Sequence, residues 1–379
     1  MGISKKVGRA DALFPELVDN NPKALLCKEI ARGKHDTELI LVHHLNEFAL
    51  PFIESLTEGY KVRKIVGIPY SAVQSVVNEL CNDFEVVVPD SLGDIKEIVR
   101  KEVLSSKENV IIEEIGGYTS GIAEILDKRA NVLGIVEDTN QGHWLWEKAI
   151  LKRLPVISIA QSKLKRVEDS YVARAIIYNT ERFLEENNLP SLEDQRILLL
   201  GYGNLGSHVA GYLEGHCKSL IVYDTDPIRL ISASGKHRVS PSFSKADIVL
   251  AVTGNPNHSI KINDIEGLKS GVFLVSGTSK RVEFDLEAFE NHAYKVEYGE
   301  DVWTYFIKNR RIEVVNKGEP INWRYSSSLP SKILDLVYAS IVYGINLLDD
   351  RLVKPGLNEI SEEDQKRIAK MYLSVYKVG

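Results

Sequence analysis

The stretch LLLGYGNLGSHVAGYL, residues 198–213, constrains the fold more than any other part of the chain. Its glycines at 201, 203 and 206 spell G-x-G-x-x-G. That spacing alone is common in loops. Here four apolar residues, 197–200, precede Gly201 as a central strand should, and a helix-compatible segment follows. A second apolar run, LIVYD, ends on Asp224, near the ~20-residue offset of a dinucleotide-binding βαβ unit. Gly201 permits the tight turn, Gly203 lets backbone approach a pyrophosphate, and Gly206 lets helix and strand pack closely. Asn204 and Leu205 open the helix, whose N-terminus favours phosphate charge. Asp224 accepts from ribose hydroxyls and repels a 2′-phosphate, so the pattern selects NAD over NADP. VTGN, with Thr253, Gly254 and Asn255, follows the next strand-helix unit and supplies a second lip to the same cleft.

The motif begins late because another α/β segment precedes it. Continuous apolar runs at 37–44, 62–69, 84–90, 109–117, 132–139 and 154–161 read as strands of a buried parallel sheet, with helix-spaced segments between them. Residues 167–195 read as one long connecting helix with a polar stop. Further strands are expected at 196–203, 219–226, 247–255 and 271–278, then a hairpin within 302–323 turning near KNRR. The strongly apolar SKILDLVYASIVYGINLL, 331–348, reads as a helix returning to the first lobe. The expected architecture is α/β in two lobes: a substrate domain over 1–180 completed by 332–355, a Rossmann NAD domain over 190–330, and a tail over 356–379.

Composition narrows the function classes. A net charge of −6 argues against a general nucleic-acid backbone binder. Cys27, Cys81 and Cys217 lack metal-ligand spacing and fit a reducing compartment. MGISKKVGRADALFPEL lacks the apolar centre of a secretory leader, and Lys6 fails the myristoylation pattern. No apolar run is read as reaching the ~18 residues of a membrane span. A cytoplasmic enzyme of small molecules, without metal, membrane or nucleic-acid partner, is expected.

Several stretches, taken in order, resemble the S-adenosylhomocysteine hydrolase family. EEIGG (113–117) resembles its acidic-Gly-Gly turn, and GIVEDTNQG (134–142) its G-x-x-E-E-T-T-T-G segment. GYGNLG followed by YDTDPIRL resembles its G-Y-G-x-V-G and E-x-D-P pair, and NKGEPINWRYSSSLPS (316–331) its E-G-R-x-x-N-L…H-P-S loop. The resemblance implies NAD that oxidises a ribose 3′-hydroxyl transiently and is then regenerated. It also implies a homodimer or homotetramer, with a C-terminal Lys/Tyr tail that reaches a neighbour's cofactor. Carried over by position, it gives Lys165 and Asp169 as the pair at the hydroxyl, Asp138 and Glu114 as acidic residues near the substrate, and Thr139 and Asn140 from the threonine run. Gly277, Thr278 and Asn322 are then further cofactor contacts. A second register places Gln161, not Lys165, at the lysine.

The match breaks at three histidines. Gln74, Thr278 and Leu329 stand where the family has them. The sequence therefore reads as a divergent member that oxidises a secondary hydroxyl on a nucleoside or sugar-like substrate, transiently or as a net dehydrogenation. A genuine S-adenosylhomocysteine hydrolase and a catalytically silent NAD-binding regulator are the alternatives. A 2-hydroxyacid dehydrogenase would want an Arg–Glu–His set that the late strands do not offer. Lys165 acts as a base only if its pKa falls towards neutrality; an exposed i,i+4 ion pair with Asp169 is the plainer alternative. Glu113, Glu114 and Asp138 end strands, where sheet ligands bind, and capping is their plainer reading. His43 and His44 end the first strand, where packing is commoner than catalysis.

Overall fold

The computed structural model describes residues 23–31, 36–241, 245–278, 281–326 and 328–378; the stretch read for a leader lies outside them. The chain divides into two compact units, residues 23–168 with 331–378, and residues 169–330. The first unit opens with β1 (Thr37–His43), β2 (Lys61–Gly67), β3 (Val86–Val87), β4 (Asn109–Glu114), β5 (Val132–Glu137) and β6 (Pro155–Ser158). The second holds β7 (Arg196–Leu200), β8 (Ser219–Tyr223), β9 (Arg238–Val239), β10 (Ile248–Ala251), β11 (Val272–Ser276), β12 (Lys295–Tyr298), β13 (Val302–Ile307) and β14 (Arg310–Val315). The chain then returns to the first unit and adds β15 (Gly356–Asn358).

The first sheet has the order β15-β6-β5-β4-β1-β2-β3, and every neighbouring pair is parallel. Its central strands β1 and β5 are buried along their whole length, as their unbroken apolar runs require. The run at 84–90 yields only the two-residue β3, a half-buried edge that Pro89 cuts short. The second sheet has the order β12-β13-β14-β11-β10-β7-β8-β9. Six of its strands are parallel, and β12–β13–β14 form an antiparallel meander. Its hairpin turns at Lys308 and Asn309, both at positive φ.

Both units thus share the doubly wound order 3-2-1-4-5, which the first sheet continues with β6 and the second with β14 of the meander. The order reverses between β1 and β4 in the first sheet and between β7 and β10 in the second. Ligands of open α/β sheets bind at the carboxyl ends of the strands beside such a reversal.

The connecting helix is shorter than the sequence suggests, Val167–Glu186, with Leu192–Asp194 only a 3₁₀ turn. Asn188 at positive φ ends it. The returning helix Ser331–Asp349 is, contrary to the sequence reading, long and apolar enough to cross a membrane by length and composition, with a mean hydropathy of 1.3. It is instead a core helix, largely buried against β5: a Cβ at Gly134 would lie 2.4 Å from Leu348. The segment set apart as a tail is integral to the first unit. β15 extends the sheet beside β6. Tyr376 Oη donates to Asp335 Oδ2 (2.6 Å), whose carboxylate also accepts the Leu26 and Cys27 N–H groups.

Candidate cofactor and substrate sites

In the second unit β7 runs straight into the glycine turn, at the point of reversal beside β10. Gly201 has φ +98°, and a Cβ there would press on the Val252 carbonyl at 3.0 Å. At Gly206 a Cβ would lie 2.1 Å from the Gly201 oxygen, so only glycine lets the helix Asn204–Leu213 sit over the turn. At Gly203 an added Cβ would meet only the Arg229 guanidinium, at 3.6 Å, so the backbone there is open to a ligand. No side chain caps the start of that helix, which leaves the N–H groups at Asn204 and Leu205 facing whatever lies over the loop.

Asp224 directly follows β8 and is buried. Its Oδ2 accepts the Tyr202 N–H at 2.7 Å and its Oδ1 the Asp226 N–H at 2.8 Å, which ties β8 to the glycine turn. Arg229, half exposed, brings its guanidinium within 3.7 Å of Asp224 and 3.6 Å of Asp226. After β10, Gly254 has φ +63° with open space around its Cα. Asn255 closes a local turn, donating from N–H to Thr253 Oγ1 (3.0 Å) and accepting the Asn257 N–H (2.9 Å). After β11, Gly277 is wedged between Ile176 and Val252, each 2.8 Å from a virtual Cβ. Asn322 is buried, donates from Nδ2 to Ser328 Oγ (2.6 Å), and keeps a buried Oδ1 with no hydrogen-bond partner among the described residues. Such an orphaned acceptor fits a carboxamide donor.

In the first unit the reversal lies between β1 and β4, and titratable side chains collect there. His43, fully buried, bridges Glu113 Oε1 (Nδ1, 3.0 Å) and Tyr338 Oη (Nε2, 3.2 Å) and stacks on Phe52. His44 turns the other way, with Nδ1 2.6 Å from Ser71 Oγ. Glu114 accepts from Trp146 Nε1 (2.7 Å) and Thr119 N–H (2.9 Å). Glu137, fully buried, accepts four donors: Gly116 N–H, Gly117 N–H, Thr139 N–H and Thr139 Oγ1. Burial raises the Glu114 carboxyl to about 7, and burial with the neighbouring Glu114 charge raises Glu137 as well. With four donors against two, Glu137 is the member of the pair better able to hold a negative charge.

Asp138 follows β5, and both its carboxylate oxygens lie 2.9 Å from Lys165 Nζ. Lys165 Nζ also lies 2.9 Å from Glu168. The lysine side chain is 16% exposed, so it is no surface ion pair. Burial pushes its ammonium pKa down, but Asp138 and Glu168 together raise it above the ordinary lysine value. A lowered, neutral lysine is therefore not what the structure holds. Lys165 also precedes the helix that begins at Val167, and Asp169 lies inside that helix, so the expected i,i+4 helical geometry does not apply. Thr139 caps the helix Asn140–Glu147 by accepting the Gly142 N–H, and Asn140 Oδ1 accepts from Gln161 Nε2 at 2.6 Å.

No protein-family model matches the chain. Over 290 residues it is 26% identical to the S-inosyl-L-homocysteine hydrolase of Methanopyrus kandleri, covering 72% of this chain and 66% of that protein. It is 27% identical over 256 residues to the S-inosyl-L-homocysteine hydrolase of Methanosarcina mazei, covering 64% and 61%. It is 26% identical over 294 residues to the adenosylhomocysteinase of Thermotoga maritima, covering 72% and 70%. By these relatives the chain is similar to the adenosylhomocysteinase-like family, as a divergent relative at 26–27% identity. The matched region spans slightly less than two thirds of the two S-inosyl-L-homocysteine hydrolases.

The second unit has parts that fit NAD: the glycine turn, the acidic residue after β8, and open backbone at Gly203 and Gly254. The positions that resemble the family's histidines carry other work here. Gln74 Nε2 donates to Asn78 on the exposed side of a helix, and Leu329 is buried. Thr278 Oγ1 donates to Glu283 Oε1 at 2.7 Å. Sequence reasoning missed Glu283, a fully buried carboxylate behind the two later turns. It also missed Tyr338 and Arg229. None has a local motif, since their partners lie far along the chain or, for Arg229, in a turn whose shape is not written in the residues.

Proposed function

We propose that the protein is an NAD-dependent enzyme that oxidises a secondary hydroxyl of a nucleoside or sugar-like substrate held at the carboxyl end of the first sheet. The observation that carries this reading is the Lys165–Asp138 pair, a largely buried ammonium beside a carboxylate at the end of β5. Asp138 accepts the hydroxyl proton. Lys165, kept charged, donates to the same oxygen and stabilises the negative charge that develops on it. NAD, when bound, supplies the hydride acceptor. Glu114, raised to about 7, is a carboxyl that can give or take a proton near neutral pH. On the resemblance described above, Asp169 is assigned to the pair at the hydroxyl, and Thr139 and Asn140 to contact with the cofactor.

The test uses purified protein supplied with NAD. It is incubated with S-adenosyl-L-homocysteine, S-inosyl-L-homocysteine and a panel of nucleosides and sugars, while homocysteine thiol and the NADH band are followed. The expected outcome is oxidation of a panel member, lost in Lys165→Met and Asp138→Asn by about 10²–10⁴-fold. Efficient release of homocysteine from S-adenosyl-L-homocysteine would overturn the altered-substrate reading in favour of the hydrolase itself. No turnover of any compound, with NAD still bound, would favour a silent NAD-binding regulator. Sedimentation of the same sample tests the proposed homodimer or homotetramer.

A further inference from the structure

Glu283 stands after β11 with its side chain fully buried. Its carboxylate collects five donors. Oε1 accepts the Thr253 N–H (2.7 Å), the Gly254 N–H (2.8 Å) and the Thr278 hydroxyl (2.7 Å). Oε2 accepts the Thr253 hydroxyl (2.8 Å) and the Ser259 hydroxyl (2.5 Å). Its own backbone carbonyl accepts the Ser259 and Ile260 N–H groups at 2.8 and 3.1 Å. Main chain and side chain are therefore both fixed.

We propose that Glu283 is a positioning residue for the NAD site, locking the turn after β10 and the turn after β11 into one edge. The proposal rests on the NAD assignment of the second unit. Thr253 and Gly254 belong to the first turn and Thr278 to the second, and a single oxygen joins them. Gly254 sits at positive φ with nothing packed on it. Without the Glu283 bonds, nothing on the ligand side would hold its N–H pointing inward. Only an ionised carboxylate accepts at every one of these contacts, because each of its oxygens is acceptor-only. A glutamine of the same shape turns one oxygen into a donor. Its nitrogen is tolerated only at the Oε2 position, where the Thr253 and Ser259 hydroxyls must turn to accept, and the substitution removes the negative charge to which all five donors point, so the bonds that hold the two turns together weaken.

The experiment measures NAD affinity by calorimetry and unfolding temperature on the full chain, for wild type, Glu283→Gln, Ser259→Ala and Thr278→Val. Wild type must bind NAD; if it does not, the cofactor assignment fails and the role of Glu283 is a separate matter. With wild type binding, Glu283→Gln is expected to weaken NAD by about tenfold or more. Ser259→Ala removes a donor that belongs to neither turn, and is expected to lower the unfolding temperature while leaving NAD affinity within about threefold. If Glu283→Gln and Ser259→Ala lose stability alike and both bind NAD as wild type does, the residue is merely structural and the proposal is overturned. Should Glu283→Gln fail to fold, Thr278→Val decides. It severs the second turn from Oε1, weakened NAD binding supports the proposal, and unchanged binding overturns it.

Discussion

His43 Nδ1 lies 3.0 Å from Glu113 Oε1, and that contact spans β1 and β4, the two strands at which the first sheet reverses its order. Both side chains are fully buried, and the other ring nitrogen is taken by Tyr338. Removing the imidazole leaves a cavity beside Phe52 and strips Glu113 of its hydrogen-bonded neighbour. His43→Ala is therefore expected to cost about 2–4 kcal/mol, while Tyr338→Phe, which deletes one hydroxyl, costs about 1 kcal/mol. Urea unfolding followed by tryptophan fluorescence measures both. Equal losses in the two variants would show that the Glu113 contact contributes nothing beyond the Tyr338 one.

The buried carboxyls set the direction of a pH response. Glu114 is raised from the ordinary glutamate range to about 7, chiefly by burial, and Glu113 and Glu137 are raised for the same leading reason. In the unfolded chain these groups ionise near pH 4.5. Between there and about 7 the unfolded state binds fewer protons than the folded one, so stability falls as pH rises. Unfolding temperature is expected to decline from about pH 5 to 8 and to decline less in Glu114→Gln. A wild-type profile that rises across this window would contradict the burial argument.

Much of this architecture is legible in the residues, and the failures share a cause. β1, β5, β7 and β10 are mainly apolar runs because both sheet faces are covered, so their patterns survive without context. Gly201, Gly203 and Gly206 are legible because each answers a local steric demand. β15 is three residues, Gly356–Asn358, too short to show any period, and exists only because β6 offers it an edge. The i,i+4 spacing of Lys165 and Asp169 suggests an exposed ion pair, yet the helix starts after Lys165, and its partner Asp138 is 27 residues away. Glu283 reaches back 30 residues to Thr253. Spacing rules see neighbours within a turn of helix; they do not see what the strand order brings together.

The glycine turn separates two kinds of requirement. At Gly206 a methyl group would strike the Gly201 carbonyl, so Gly206→Ala is expected to lower the unfolding temperature and NAD affinity together. At Gly203 a methyl would meet only the tip of Arg229. Gly203→Ala is expected to keep the unfolding temperature within a few degrees yet weaken NAD by about tenfold, because the methyl occupies the approach to the pyrophosphate. Paired calorimetry and thermal unfolding distinguish the two. Unimpaired NAD binding by Gly203→Ala would place the pyrophosphate elsewhere.

Asp224 and Arg229 are expected to govern which dinucleotide the proposed cofactor site accepts. Asp224 uses one oxygen on Tyr202 and the other on Asp226, and presents its negative charge beside the turn. Arg229 stands 3.7 Å from it with its guanidinium near Gly203. In the wild type the carboxylate repels a 2′-phosphate and neutralises the arginine. Asp224→Asn keeps one acceptor for the turn but removes the charge, which frees Arg229 to pair with a phosphate. The ratio of NADP to NAD affinity is expected to rise by about tenfold or more, and adding Arg229→Ala is expected to abolish that gain. Competitive binding of the two dinucleotides to the single and double variants measures it. If the double variant keeps the gain, repulsion by Asp224 alone sets the preference and Arg229 takes no part in it.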